Sequence, residues 1–144
     1  MQDSAYIDTS ALAKWYFEEE NSDAVTEYIR KLDTAIISPL VKTEMRCLCA
    51  RRRRMQRISS MMEMEVFSTF ENHLEQGHLL LYPMNESTYD RAIYLLNAHN
   101  AHPLRTLDAL HLATLQLHNI KQLATADKVL AEVAEEMGIE VRFF

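Results

Sequence analysis

Short apolar runs alternate with longer segments of helical period along this chain, and that alternation restricts the fold more than any other feature. Ala5, Tyr6 and Ile7 form one such run, and Ala35, Ile36 and Ile37 another. Both are apolar without interruption, as expected of strands buried on both faces. Residues 78–82, 122–125 and 140–144 are further strand candidates. Between them the spacing predicts helices over 9–17, 22–31, 40–57, 61–76, 86–98, 104–117 and 128–137. Thr9 or Ser10 is placed to cap the first helix. Tyr89, Ala92, Ile93 and Leu96 form the expected inward face of the fifth. Gly77 and Gly138 stand where helices should stop. They are the only 2 glycines among 144 residues, and prolines number 3, too few turn residues for a sandwich or small barrel. Strands alternating with helices imply βαβ units and an α/β fold with a central, mainly parallel β-sheet flanked by helices. Without repeats, low-complexity segments or linkers, residues 1–144 are expected to form a single domain.

The formal net charge of −6 counts against general nucleic-acid binding, unless some of the acids are gathered around metal ions. Charge is uneven: residues 42–57 carry seven of the 15 basic side chains and one acid, Glu44. Cys47 and Cys49 are too close in sequence for an unstrained disulfide and read as small apolar residues of a reducing compartment. With no run long enough to span a bilayer and no basic leader before an apolar stretch, a soluble, cytoplasmic protein is expected.

Open parallel sheets bind ligands beyond the carboxyl ends of their strands, so the acids there matter most. Asp8 directly follows the first strand. Glu44 lies on the first turns of the helix after the second strand. Asp127 follows the strand over 122–125. Asp8 and Asp127 also suit helix caps, and Glu44 suits a solvated helix face. Asp108 differs, because its helix is apolar on nearly every side. An unpaired carboxylate there costs upward of roughly 2–7 kcal/mol and needs a partner. Arg105, three residues earlier, is one candidate and a metal the other. Carboxylates gathered at one place cannot all stay ionised without a cation. Hard oxygen ligands select Mg2+ or Mn2+ over zinc, and such ions suit phosphoryl chemistry.

With these residues in place the chain resembles a PIN domain, and most closely the VapC-type toxins. The likeness runs from Tyr6 to the C-terminus through stretches 6–12, 38–44, 105–114 and 123–130, each holding one acid. It implies a PIN-like three-layer fold and a metal-dependent endoribonuclease. Asp8, Glu44, Asp108 and Asp127 would be its catalytic acids. Asp8, Asp108 and Asp127 would hold Mg2+ (or Mn2+), with Glu44 completing the shell or orienting a water. Ser10 and Thr125 match hydroxyl positions that support the acids or bind water. The resemblance further implies an RNA substrate, a homodimer and a small cognate antitoxin protein that obstructs the acidic pocket.

Other features have more than one reading or belong to the core. Arg51, Arg52, Arg53 and Arg54, outside the motif, are either a solvated helix face, contacts to an RNA backbone, or a surface for an acidic partner. His99 and His102 have the spacing of a zinc pair but lack further ligands. His111, one turn from Asp108, is placed to hydrogen-bond near the site, but reads chiefly as a packed core histidine. Trp15, Tyr16 and Phe17 read as core. Met61, Met62 and Met64 suggest an exposed strip for a partner helix, although Met62 suits the core equally well. Rival phosphotransferases lack their marks: a receiver domain needs an acidic pair before its first helix, and a dehalogenase-type phosphatase needs aspartate in place of Ser10. The alternative of another class is a PIN-like module that binds RNA or protein without cutting. It gives no reason for gathering mutually repelling acids.

Overall fold

A computed structural model describes residues 3–144. Strand β1 (Ser4–Ile7) leads through Asp8 into α1 (Thr9–Tyr16), followed by α2 (Ser22–Lys31) and β2 (Thr34–Ile37). Two long helices, α3 (Pro39–Arg54) and α4 (Ser60–Glu75), precede the short β3 (Leu80–Leu81). Then come α5 (Glu86–Ala98), α6 (Thr106–Leu117), β4 (Gln122–Thr125), α7 (Lys128–Glu136) and β5 (Glu140–Phe143). All pairings are parallel, in the order β3-β2-β1-β4-β5. The sheet is thus wholly parallel where a mainly parallel one was expected.

Strand order reverses beside β1, because the chain leaves it towards β2 and returns on its other side as β4. The crevice at such a switch point, beyond the carboxyl ends, is where open parallel sheets bind ligands. Tyr6 pairs with Ile36 on one side and Leu123 on the other. Ala5, Tyr6, Ile7, Ile36, Ile37, Leu123 and Ala124 are buried, which explains their uninterrupted apolar sequence. Helix α6 is buried from Ala109 to Leu115, and Met45, Phe70, Leu95 and Val133 complete the core.

Several boundaries and faces differ from expectation. Asp8, not Thr9 or Ser10, caps α1, its carboxylate accepting from the Ala11 amide. The strand expected over 78–82 shrinks to two edge residues, and α3 ends at Arg54. On α5 the buried side chains are Thr88, Ala92 and Leu95, whereas Tyr89 and Ile93 are 55% and 59% exposed. The helix is turned so that Thr88 takes the Asn85 amide in a capping box, and the small Ala92 faces inward. Both glycines do end helices, with φ of 79° and 78°, a left-handed conformation that strains any side chain.

Candidate active site at the carboxyl ends of the strands

Asp8 is 3% exposed and surrounded by donors. The Ser10 hydroxyl reaches its two oxygens at 2.8 and 2.9 Å, the Ala11 amide donates to Oδ1 at 3.0 Å, and Thr125 donates to Oδ2 at 2.6 Å. The same hydroxyls tie Asp8 to the turn after β4: Ser10 accepts from the Ala126 amide and Thr125 from the Asp127 amide. Burial pushes the Asp8 carboxyl above its ordinary range. The neighbouring His111 and the bonds from Thr125, Ala11 and Ser10 act the other way without outweighing it.

Asp127 caps α7 through Oδ1, which accepts from the Leu130 amide at 3.0 Å. Asp108 lies in the first turn of α6, half-buried rather than enclosed, ahead of the buried stretch. The expected Arg105 partner is its backbone: that amide donates to Oδ2 at 3.1 Å. Burial raises the Asp108 carboxyl, the Arg105 amide opposes, and the nearby charge of Asp127 adds to the rise. Among the described residues no ion pair neutralises Asp8, Asp108 or Asp127.

Glu44 has a different environment. Thr9 donates to its Oε1 at 2.9 Å, and His111 Nε2 lies 2.8 Å from the same oxygen. Burial works to raise this carboxyl, but the bonds from His111 and Thr9 prevail and hold it below its usual range. The Glu44–His111 contact was not legible in advance. Its traces are the one-turn spacing of His111 from Asp108 and the placement of Tyr6 on the strand face of Asp8.

A groove of about 560 Å³ opens beside Glu44, Thr9 and Ser10 and extends along α3 past Cys47 to Arg51 and Arg52. The arginine run divides in two. Arg52 lies 2.7 Å from Glu19 and over the Phe17 ring, and Arg53 lies 2.7 Å from Glu63. Arg51 and Arg54 are exposed. All four fill the last turn of α3, where cations suit the helix dipole. His99 and His102 both bond the Glu136 carboxylate at 3.0 and 2.7 Å. Met61 and Met64 are 70% exposed and Met62 40%, so this strip faces out. Phe17 is buried, and Trp15 and Tyr16 pack partly buried against the core. Cys47 and Cys49 are both free thiols.

Among the described residues no group of three or more His, Cys, Asp or Glu side chains is arranged to hold a metal ion. The donor chemistry nonetheless fits a hydrated hard cation, since Mg2+ keeps several waters and uses one or two carboxylates. Asp108 and Asp127 offer such carboxylates, close enough that the charge of Asp127 adds to the rise at Asp108. No described helix is long and apolar enough to cross a membrane.

A wholly parallel five-stranded sheet flanked by helices, its strand order reversing beside β1, defines an α/β protein. The PIN domain family model matches residues 5–136, and the chain belongs to that family. It is 30% identical over 138 residues to Ribonuclease VapC46 of Mycobacterium tuberculosis, covering 94% of each chain. Among solved structures it is similar to M. tuberculosis VapC20, a Sarcin-Ricin loop cleaving toxin. That match has a TM-score of 0.71 and 16% identity over 96% of this chain and 98% of that one. It is also similar to VapBC-5 of M. tuberculosis, a member of the VapBC family of toxin–antitoxin systems. Here the TM-score is 0.67 and the identity 13%, over 98% of each chain.

Proposed function

We propose that this chain is a divalent-metal-dependent endoribonuclease that hydrolyses RNA phosphodiester bonds as the toxin of a toxin–antitoxin pair. One observation supports the reading: Asp8, Asp108 and Asp127 follow or flank the carboxyl ends of the strands with no ion-pair partner among the described residues, and burial raises two of them. Asp8, Asp108 and Asp127 would hold Mg2+ or Mn2+. When bound, such an ion polarises the phosphate and offsets charge on the entering and leaving oxygens. Ser10 and Thr125 hold Asp8 in place and keep the turn carrying Asp127 against it. Glu44, with Oε1 already bonded, orients the attacking water through Oε2. Attack in line expels the 3′ oxygen and leaves a 5′ phosphate and a 3′ hydroxyl.

The likeness to VapC and VapBC proteins supports a small antitoxin as partner, and the exposed Tyr89, Ile93 and Tyr94 on α5 suit a homodimer. In this reading residues 1–144 act as one unit in the cytoplasm. The test is incubation of the purified chain with total RNA in EDTA, Mg2+ or Mn2+. Cleavage with 5′-phosphate ends is expected only when a divalent ion is present. Full activity in EDTA overturns metal dependence. RNA binding without cutting under every condition favours the non-catalytic module instead.

A further inference from the structure

Behind Glu44 runs a chain of polar side chains closed off from solvent. Ser38 Oγ lies 2.8 Å from the Tyr6 hydroxyl, which lies 2.7 Å from His111 Nδ1. His111 Nε2 reaches Glu44 Oε1 at 2.8 Å. Ser38 and Tyr6 are wholly buried and His111 is 4% exposed.

Donor and acceptor roles follow from the inventory of each group. An ionised carboxylate only accepts, so Nε2 carries the proton facing Glu44. In the neutral ring Nδ1 must then accept, and the Tyr6 hydroxyl donates to it. Burial keeps that phenol protonated by pushing it far above its ordinary range. The Tyr6 oxygen is left to accept from Ser38. Ser38 fits this role, because it stands at the N-cap of α3 yet makes no capping bond with its side chain. Every donor in the chain therefore points towards Glu44.

A histidine serving stability alone needs its two nitrogens satisfied by any groups at hand. Here both partners belong to elements that build the site: Tyr6 precedes Asp8 on β1, and Glu44 stands on α3. The load on Glu44 is also lopsided. Oε1 takes both protein donors, and among the described residues Oε2 takes none. We propose that His111 is a positioning residue, fixed as the Nε2–H tautomer by Tyr6 and Ser38, which pins Oε1 of Glu44 and leaves Oε2 as the oxygen open to water and substrate. This rests on the hydrolytic reading above.

Kinetics and spectroscopy test it separately. His111→Leu should lower kcat about 10–100-fold, the usual effect of removing an orienting partner, with KM for an RNA substrate changed less than about twofold. His111→Gln, whose amide nitrogen can replace Nε2, should recover most of kcat. In Glu44→Gln the further change His111→Leu should cost nothing more, because the histidine acts through that carboxylate. Nitrogen NMR near neutral pH should show His111 Nε2 protonated and Nδ1 bare, with the Nε2 signal moved by Glu44→Gln. Unchanged kcat in His111→Leu, losses that multiply in the double variant, or a proton on Nδ1 overturns the proposal. Should His111→Leu fail to fold, His111→Gln and the spectrum decide. A wild-type chain inactive with Mn2+ defeats the hydrolytic reading itself, while the spectrum still rules for or against the contact with Glu44.

Discussion

Asp8 and Glu44 follow adjacent strands, and burial acts to raise both, yet they end on opposite sides of the ordinary carboxylate range. Asp8 stays raised, because hydroxyls and one amide do not repay the loss of water. Glu44 is brought down by His111 and Thr9. The site thus has two halves. One, Asp8 with Asp108 and Asp127, has no ion-pair partner among the described residues, and the more distant charges of His111 and Arg105 do not bring Asp8 or Asp108 down. The other, Glu44 with His111, is already settled by its protein partners. A cation has much to gain in the first half and little in the second.

The sharpest way to break this division is to compare Asp108→Asn with Glu44→Gln. Asp108→Asn should lower cleavage by about 10²–10³-fold, as removal of a single charge-stabilising group often does. It should also weaken Mn2+ binding in calorimetry. The Arg105 amide keeps its acceptor in that variant, and a neutral side chain relieves the repulsion from Asp127. Its thermal midpoint should therefore rise by about 1–3 °C. Glu44→Gln should slow cleavage and leave Mn2+ affinity nearly unchanged. Equal losses of Mn2+ affinity in the two variants would merge the halves into one.

A smaller effect is expected in the pH dependence of stability without metal. An acid raised in the folded state binds protons there more readily than in the unfolded chain. Asp8 and Asp108 should then make the protein more stable as pH falls from neutrality towards about 5. Glu44, being lowered, acts oppositely: its contribution is present above the ordinary glutamate range and lost as pH drops below it. Thermal midpoints measured across this range should rise before they fall. Saturating Mn2+ should flatten the rise. A midpoint that drops steadily from pH 7 in the absence of metal would show that the first half is compensated after all.

The uncompensated half was the readable one. Asp8 and Asp127 could be seen because a strand end followed by a helix start fixes where an acid points, whether it caps a helix or meets a ligand. Both acids cap helices, the first of those two readings. The apolar sequence of α6 did signal burial, but burial begins at Ala109, just past Asp108. The compensated half was hidden. Glu44 meets His111 only once β1, α3 and α6 have packed, and periodicity on one element carries no information about which element faces it. The same limit explains α5, where the pattern showed an apolar side containing Tyr89 and Ile93. The helix buries Thr88 and Leu95 instead, since the capping box and the close approach at Ala92 set its rotation. In the arginine run, sequence could not separate the side chains bound to Glu19 and Glu63 from those left exposed.

That separation gives the smallest and most discriminating effect, on the groove leading away from Glu44. Arg51 lines the groove without an ion-pair partner among the described residues, whereas Arg52 in the same groove is held by Glu19 and the Phe17 ring. A cation free to meet a phosphate releases counterions on binding, and a cation already paired releases few. Arg51→Ala should weaken RNA binding about threefold and reduce the slope of log affinity against log salt by about 0.7. Arg52→Ala should leave that slope nearly alone and lower stability by about 0.5–1 kcal/mol, the range for a partly exposed ion pair with a cation–π contact. Fluorescence anisotropy on a single-stranded RNA at several salt concentrations, using the Asp108→Asn background to prevent cutting, measures both slopes. Identical slopes for the two variants would place the substrate path elsewhere than along α3, and would leave Glu44 facing solvent rather than the strand being cut.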